Sequence, residues 1–382
     1  MKSITTYINE KLIINFNSEF INYEGSYPYT LHYGNGTNDS TSKEKRQNND
    51  LLSAKIESNI YANISNKSSI KTKIYFYYDE KGLPGPTTLY YLKSAQRLWN
   101  RDFFIQNVFT HHFNQNLSYK NHFKLSSNYT RYFDPYYNNA QGFQEDVYNQ
   151  EEMYLNNILA WQNKKRTICF SLTNDLSLNS LNAKTNYEFD PKRFSSISAI
   201  TSAFKYRKLR LDLNLLHTVT KDWATLHKAF ATQNHFSPFL SLLLKDSHYE
   251  ISLFYKDIFR IPTFNDLYYN LVGEPNLKPE KAKQYNLHTA YFTSWGEENY
   301  HNIYLGIDLY HNKVKDKIVA VPRNNLFIWS MVNYGQVIVN GLEDYKREIA
   351  NVFEIMGIKY YIRQNVSIKN SKIYALYMNA LR

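Results

Sequence analysis

Few residues in this chain stand at spacings that do covalent chemistry. His111 and His112 are adjacent, and adjacent side chains on a strand point to opposite faces. They cannot share a metal, which would need i, i+2 spacing. His217 and His227 have no ligand cluster near them in the sequence. Cys169 is the single cysteine and excludes an intramolecular disulfide framework. It lies in an alternating run and reads as a small buried residue. Glu151 and Glu152 read as part of a polar loop with no catalytic role. Phosphate-cradling loops, G-x-S-x-G elbows and H-E-x-x-H pairs do not occur. Neither an enzyme nor a cofactor or metal site is expected. The chemistry left is recognition. Tyr268 and Tyr269 offer rigid contact area with a polar tip, so they are candidates for ligand contact, with an interfacial aromatic belt as the alternative. Arg260 and Glu280 stand at the two ends of their loop. They either pair across its base or remain solvated rim charges, and the second reading is preferred.

The elements that carry these residues are strands. Leu209, Leu211, Leu213 and Leu215 alternate with Lys208, Arg210, Asp212 and Asn214. Ile303, Leu305, Ile307 and Leu309 alternate with Tyr304, Gly306, Asp308 and Tyr310. Period two puts the apolar set on one face and the polar set on the other. Roughly 14 to 16 such runs occur, at about 12–24, 53–66, 70–80, 101–114, 117–133, 149–161, 165–178, 195–205, 207–219, 236–245, 247–258, 283–295, 300–313, 333–346 and 356–369. Several reach about ten residues, beyond the ~5–6 of globular strands and close to the 9–11 that cross a bilayer. Connections alternate between short turns such as 294–299 and long segments such as 257–280 and 313–331, with further long polar stretches at 34–49 and 134–151.

Composition agrees with a membrane wall. Tyr numbers 35 and Phe 23 among 382 residues, enough for aromatic girdles at two interfaces. Mean hydropathy is −0.56, and a transmembrane helix is excluded for want of a long apolar run. Barrel strands keep average hydropathy low because only every second residue meets lipid. The net charge of +11 is scattered. It suits a rim or lumen meeting an anionic ligand, or lipopolysaccharide phosphates, as well as it suits nucleic acid; without a Lys/Arg block, nucleic acid is not expected as a partner.

The stretch Tyr255–Tyr285 contains "FRIPTFNDLYY" and "GEPNLKPEKA". It resembles the barrel signature of TonB-dependent outer-membrane receptors through Arg260, Pro262, Phe264, Leu267, Tyr268, Gly273, Pro275, Asn276, Leu277, Pro279 and Glu280. Lys81–Pro86 resembles the "GLPG" loop of the Bacteroidetes type, and Arg97–Phe104 the strand start that follows it. Leu309–Ile318 resembles the "YYNKVKDKI" strand end, and Asn333, Gly335 and Val339–Glu343 the "N-x-G…I-x-G-x-E" pattern. The motifs keep family order over about 82–343.

The resemblance implies an all-β fold, an antiparallel transmembrane β-barrel with short periplasmic turns and long extracellular loops. Residues 1–382 then form one barrel domain, incomplete against a family barrel of about 22 strands. The N-terminus shows no signal peptide, no plug domain is found, and the last strands are expected to be missing. The implied function is nutrient uptake across the outer membrane, of cobalamin type first and siderophore or haem type second. The implied partners are outer-membrane lipid and lipopolysaccharide, the TonB energy-coupling complex through the absent plug, and a small nutrient ligand. A soluble or surface-attached β-rich binding protein, with its greasy faces packed together, stays as the alternative of another class. Within the signature, the prolines belong at strand ends because they cannot donate to a ladder. Gly273 is expected to supply a turn conformation that other residues adopt at a cost.

Overall fold

Alternation becomes strand almost everywhere. The computed structural model describes the chain except residues 34–39, 86–93, 186–187, 224–231, 271, 296–300, 323–328, 350–351, 356–357, 362–365 and 377–382. In chain order the elements are β1 Lys2–Ile8, β2 Leu12–Tyr23, β3 Pro28–Tyr33, β4 Ser40–Lys45, β5 Leu51–Ser65, β6 Ser68–Leu83, β7 Gln96–His112, β8 Leu117–Asp134, β9 Gln144–Gln162, β10 Ile168–Lys184 and β11 Glu188–Phe189. Then follow β12 Lys192–Tyr206, β13 Leu209–Trp223, β14 Gln233–Lys245, β15 Tyr249–Arg260, α1 Phe264–Tyr268, β16 Glu280–Trp295, β17 His301–Pro322, β18 Trp329–Ile349, β19 Val352–Ile355, β20 Ile358–Tyr361 and β21 Val366–Leu376.

Seventeen of these strands belong to one hydrogen-bonded sheet. Setting aside the two-residue β11 and the seven-residue β1 leaves fifteen. The hairpins β3–β4 and β19–β20 stand apart. Pairing is antiparallel between sequence neighbours, as in β5–β6, β6–β7 and β7–β8 in one compact unit and β14–β15, β15–β16, β16–β17 and β17–β18 in the other.

The strands outrun the expected spans mostly at the long-connection end. β9 starts at Gln144, so Glu151 and Glu152 lie inside a strand and not in a loop. They point to opposite faces: Glu152 accepts from Lys124 Nζ at 2.8 Å, while Glu151 is exposed. β17 runs on to Pro322 and β18 begins at Trp329, so the expected long loop 313–331 is mostly strand. Asp316 is the irregular point, at φ 52° and skipped by the β17–β18 register. The expected strand 356–369 gives way to β20 and β21, with part of it outside the described residues. These extensions carry no apolar alternation, although one face is covered at Gln144, Asp146 and Tyr148 of β9 and Ile318 of β17 is buried.

The short connections are closed by side chains that cap backbone donors. Asn163 Oδ1 accepts from Thr167 N at 2.8 Å, beside Arg166 at φ 53°. Lys208, expected within a strand, lies in the β12–β13 turn and donates to Asp246 of the β14–β15 turn.

Exposure decides which face is oily. Leu305, Ile307 and Leu309 are 44, 46 and 41 % exposed, while Gly306 between them is buried and Tyr304, Asp308 and Tyr310 are partly covered. Leu213, Leu215, Ile251, Leu253 and Leu342 are likewise exposed. A sandwich would hide these residues between two sheets; among the described residues no second sheet covers them. The apolar side faces outward, as a lipid-facing wall requires.

Register arranges that wall in rows. Leu242, Leu253, Leu287, Leu309 and Leu342 are successive cross-strand partners over β14 to β18. Two residues along, Tyr255, Tyr285, His311 and Asn340 form the next row. The rings of Tyr255 and Tyr285 lie 5.0 Å apart, and His311 Nδ1 sits 2.6 Å from Asn340 Oδ1. This is the aromatic and polar border of the apolar band. The opposite face is polar: His288 Nδ1 lies 3.0 Å from Asp308 Oδ1, and in the other unit Lys73 pairs with Glu57 at 3.2 Å.

Candidate functional site

The signature residues converge on one corner between β15 and β16. Alternation stops at Arg260 because Ile261-Pro262 removes a ladder donor. Thr263 then caps α1: Asp266 N donates to Thr263 Oγ1 at 3.1 Å, and Thr263 N donates to Asp266 Oδ2 at 2.9 Å. This reciprocal capping box satisfies two otherwise orphaned donors, in a helix of five residues. It was legible in Thr263-Phe264-Asn265-Asp266, but the strand reading passed over it.

α1 turns Phe264, Leu267 and Tyr268 inward. Leu267 is 2 % and Tyr268 3 % exposed, and Pro262 and Leu277 are buried with them. The Tyr268 ring packs 5.9 Å from that of Phe264. Tyr268 is thus a core residue of the corner and presents no face to a ligand, against the expectation. A helical turn, and not a strand or open loop, sets its direction. Tyr269 is the helix C-cap, half-buried, and burial holds its phenol above the ordinary value.

Charge closes the base of the corner. Arg260 and Glu280 are register partners. Arg260 Nη2 reaches Asp266 Oδ2 at 3.1 Å, and Nη1 approaches Glu280 Oε2 at 3.6 Å. Both readings hold in part: the Arg260 side chain stays 42 % exposed, and its guanidinium also joins the helix cap to the start of β16. Asp266, which makes the arrangement, was not singled out in the sequence. Glu280 Oε2 also accepts from Ile318 N at 3.0 Å, just past the Asp316 irregularity.

Gly273 serves a different need from the one expected. It is not among the glycines at positive φ. A Cβ there would stand 2.8 Å from the Leu267 carbonyl and the Tyr268 nitrogen. Close approach of the returning loop to α1 is the constraint. Glu274 N donates to Asp266 O at 2.9 Å and Gly273 N to Tyr269 O at 2.7 Å, which fold the loop back. Asn276 is exposed and donates through N and Nδ2 to Glu274 Oε1, at 3.0 Å each. Pro275 lies in the same turn, and Pro279 directly precedes β16.

Asn333 of β18 ties the corner to its neighbours. Its Oδ1 accepts from Lys278 N at 2.7 Å, and its Nδ2 donates to Lys278 O at 3.0 Å and to Asp316 O at 2.8 Å. Met331 N donates to Val272 O at 2.8 Å. The sequence motifs around 260–280, 309–318 and 331–335 are therefore parts of one interlocked site.

The other unit holds a smaller counterpart. Gly82 packs under Asn48, where a Cβ would meet the Asn48 carbonyl at 2.5 Å, and Gly85 sits at φ 66°. Asn48 Nδ2 donates to Leu83 O at 3.0 Å and to Gln96 O at 2.8 Å, and Arg97 joins Asp50 and Glu80 at 2.9 and 2.6 Å. Pro86 of that motif lies outside the described residues.

The chain matches the family described as "TonB dependent receptor-like, beta-barrel" over residues 3–354. It belongs to that family. Among solved structures the receptor is similar to the alcaligin outer-membrane receptor FauA of Bordetella pertussis, with 10 % identity and TM-score 0.57 over 100 % of this chain and 62 % of that one. It is also similar to the haemophore receptor HasR of Serratia marcescens, with 11 % identity and TM-score 0.61 over 99 % of this chain and 61 % of that one. A curated relative, the vitamin B12 transporter BtuB of Vibrio vulnificus (strain YJ016), is 31 % identical over 85 residues, 22 % of this chain and 13 % of that protein. The chain spans less than two thirds of the length of each. No helix among the described residues is long and apolar enough to cross a membrane.

Proposed function

We propose that the chain is the barrel portion of an outer-membrane receptor for active nutrient uptake, with a cobalamin-type compound as cargo and the TonB complex supplying the energy. The observation that carries the cargo is the 31 % identical stretch shared with the vitamin B12 transporter. The receptor class itself is supported by the outward apolar rows and the interlocked corner. The role is transport and not catalysis. Tyr269 is the signature residue proposed for ligand contact, since it caps the corner with part of its ring in solvent.

An iron-complex cargo is the second reading. It is favoured by the likeness of the fold to a siderophore receptor and a haemophore receptor. One experiment separates the two. The full receptor gene that contains this chain is expressed in a Gram-negative host lacking its own cobalamin and ferric-siderophore receptors. Growth limited by cobalamin should be restored only when TonB is present. Restoration by a ferric siderophore or haem in place of cobalamin would transfer the assignment to the second reading. Tyr269→Ala should raise the cargo concentration needed for half-maximal growth without lowering the amount of barrel in the membrane.

A further inference from the structure

Beyond the Tyr255–Tyr285–His311–Asn340 border, the same face of the wall continues for two more rows. Asp257, Lys283, Lys313 and Ile338 are successive partners in the first; Phe259, Lys281, Lys315 and Gln336 in the second. Two lysine pairs, Lys283–Lys313 and Lys281–Lys315, therefore stand directly opposite each other on adjacent strands. Like charges placed so are destabilising. None of the four has a carboxylate within 4.0 Å among the described residues; only the Phe259 ring, 6.0 Å from Lys281 Nζ, attends them. Asp257, the acid of the patch, is turned to His235, with Oδ1 2.8 Å from Nε2. Lys281, Lys283 and Lys315 are exposed and Lys313 is partly covered.

The alternation that aims Leu305, Ile307 and Leu309 at lipid aims Lys313 and Lys315 the same way, because the β16–β17 register runs unbroken from Trp295–His301 to Lys281–Lys315. Successive rows lie about 6–7 Å apart along a strand. The order is leucine, then tyrosine and histidine, then four unneutralised ammonium groups. It matches the order of a lipid met from its tails outward: acyl chain, interface, anionic headgroup. A free anion would need the lysines alone and not the apolar rows beneath them.

We infer that Lys281, Lys283, Lys313 and Lys315 form a binding site for the phosphate-bearing headgroup of a membrane lipid, whose acyl chains lie along the row that holds Leu309 and Leu342. The inference rests on the reading of this face as the lipid-facing wall. Basic groups near an anionic bilayer surface attract it additively, and here the bound phosphate also relieves the repulsion between the cross-strand lysines. The four lysines take no part in the hydrogen bonds that Asn333 makes in the corner.

The test uses the whole receptor, purified in a neutral detergent. Lipid A carrying both phosphates, its dephosphorylated form and inorganic phosphate are each added, and binding is read by native mass spectrometry. The variant is K281Q/K283Q/K313Q/K315Q. The wild type should retain phosphorylated lipid A, and the variant should lose about tenfold or more in affinity. Without lipid the variant should melt at a higher temperature than the wild type, because the like-charge pairs are gone. Equal retention of dephosphorylated lipid, competition by millimolar inorganic phosphate, or unchanged retention by the variant would overturn the site while leaving the barrel standing. Should the fourfold variant fail to fold, K283Q/K313Q carries the same two readouts. Wild-type protein that stays monomeric without detergent would instead overturn the lipid-facing wall itself.

Discussion

Two sets of leucines in this receptor have opposite fates. In the wall, Leu309 and Leu342 are exposed to whatever surrounds the protein. In the corner, Leu267 and Leu277 are among the most deeply buried side chains described. The wall needs no protein partner for its leucines, because hydrocarbon tails are as apolar as they are. The corner lies among loops, in water, and must build a small core of its own from Pro262, Phe264, Leu267, Tyr268 and Leu277. A single residue type is thus used once as solvent-facing surface in an oily solvent and once as ordinary core. The wall is tolerant of shape and intolerant of charge, and the corner is the reverse.

The largest effect should come from the corner core. Leu267→Ala removes a fully buried side chain and leaves a cavity under Gly273, at a cost of about 2–5 kcal/mol. Denaturant titration of the refolded barrel in detergent micelles measures it, while Leu309→Ala should change far less because lipid refills the space. Equal losses at both positions would erase the contrast. Next, Leu309→Arg places a charge in the middle of the apolar rows and should cost about 2–4 kcal/mol in lipid. The same titration in bilayers reads it, and a neutral outcome would mean that this row is not in hydrocarbon. Asn333→Ala removes three hydrogen bonds that reach two backbone segments. Each is worth about 0.5–1.5 kcal/mol net, and water recovers part of the loss at the exposed Lys278. We expect about 1–2 kcal/mol, together with faster amide exchange at Lys278 and its neighbours.

The smallest effect concerns pH, at the far end of the same wall. Lys208 beside Asp246, helped by the Ser247 amide, lowers the Asp246 carboxyl from 3.8 to about 2. A carboxyl depressed on folding stabilises the protein above its ordinary value and loses that contribution as pH falls toward 2. The melting temperature should therefore drop between about pH 4 and pH 2, and Asp246→Asn should flatten that part of the curve. The group is exposed, so the change should be slight.

Much of the wall was legible before any coordinates. Leu209–Leu215 and Ile303–Leu309 state their period, and a period of two admits only a strand with two unlike faces. The strand ends were less legible. Gln144–Gln150 covers polar Gln144 and Asp146 on its buried side, and Lys315–Pro322 mixes polar and apolar residues without a period, so the ladder alone reveals them as strand. In the corner, the signature residues were identifiable one by one, but not their work. Tyr268 was a candidate for ligand contact or for an interfacial belt and is core; Arg260 was read as a solvated rim charge and, still exposed, also braces Asp266; Gly273 was read as a turn residue and is a point of close approach.

By itself, then, the amino-acid sequence determined the alternating ribbon with its one apolar face, and its motifs carried the resemblance to the family. Those features are local, the first repeated every second residue, and need no knowledge of what lies across the chain. The tertiary structure decided the rest. It alone brought Asn333 to Lys278 across 55 positions, Glu280 to Ile318 across 38, and four lysines from two strands into one patch. Hydrogen bonds and charge repulsion depend on distances of a few ångströms in space, and position along a chain does not encode those distances until the strands have found their register.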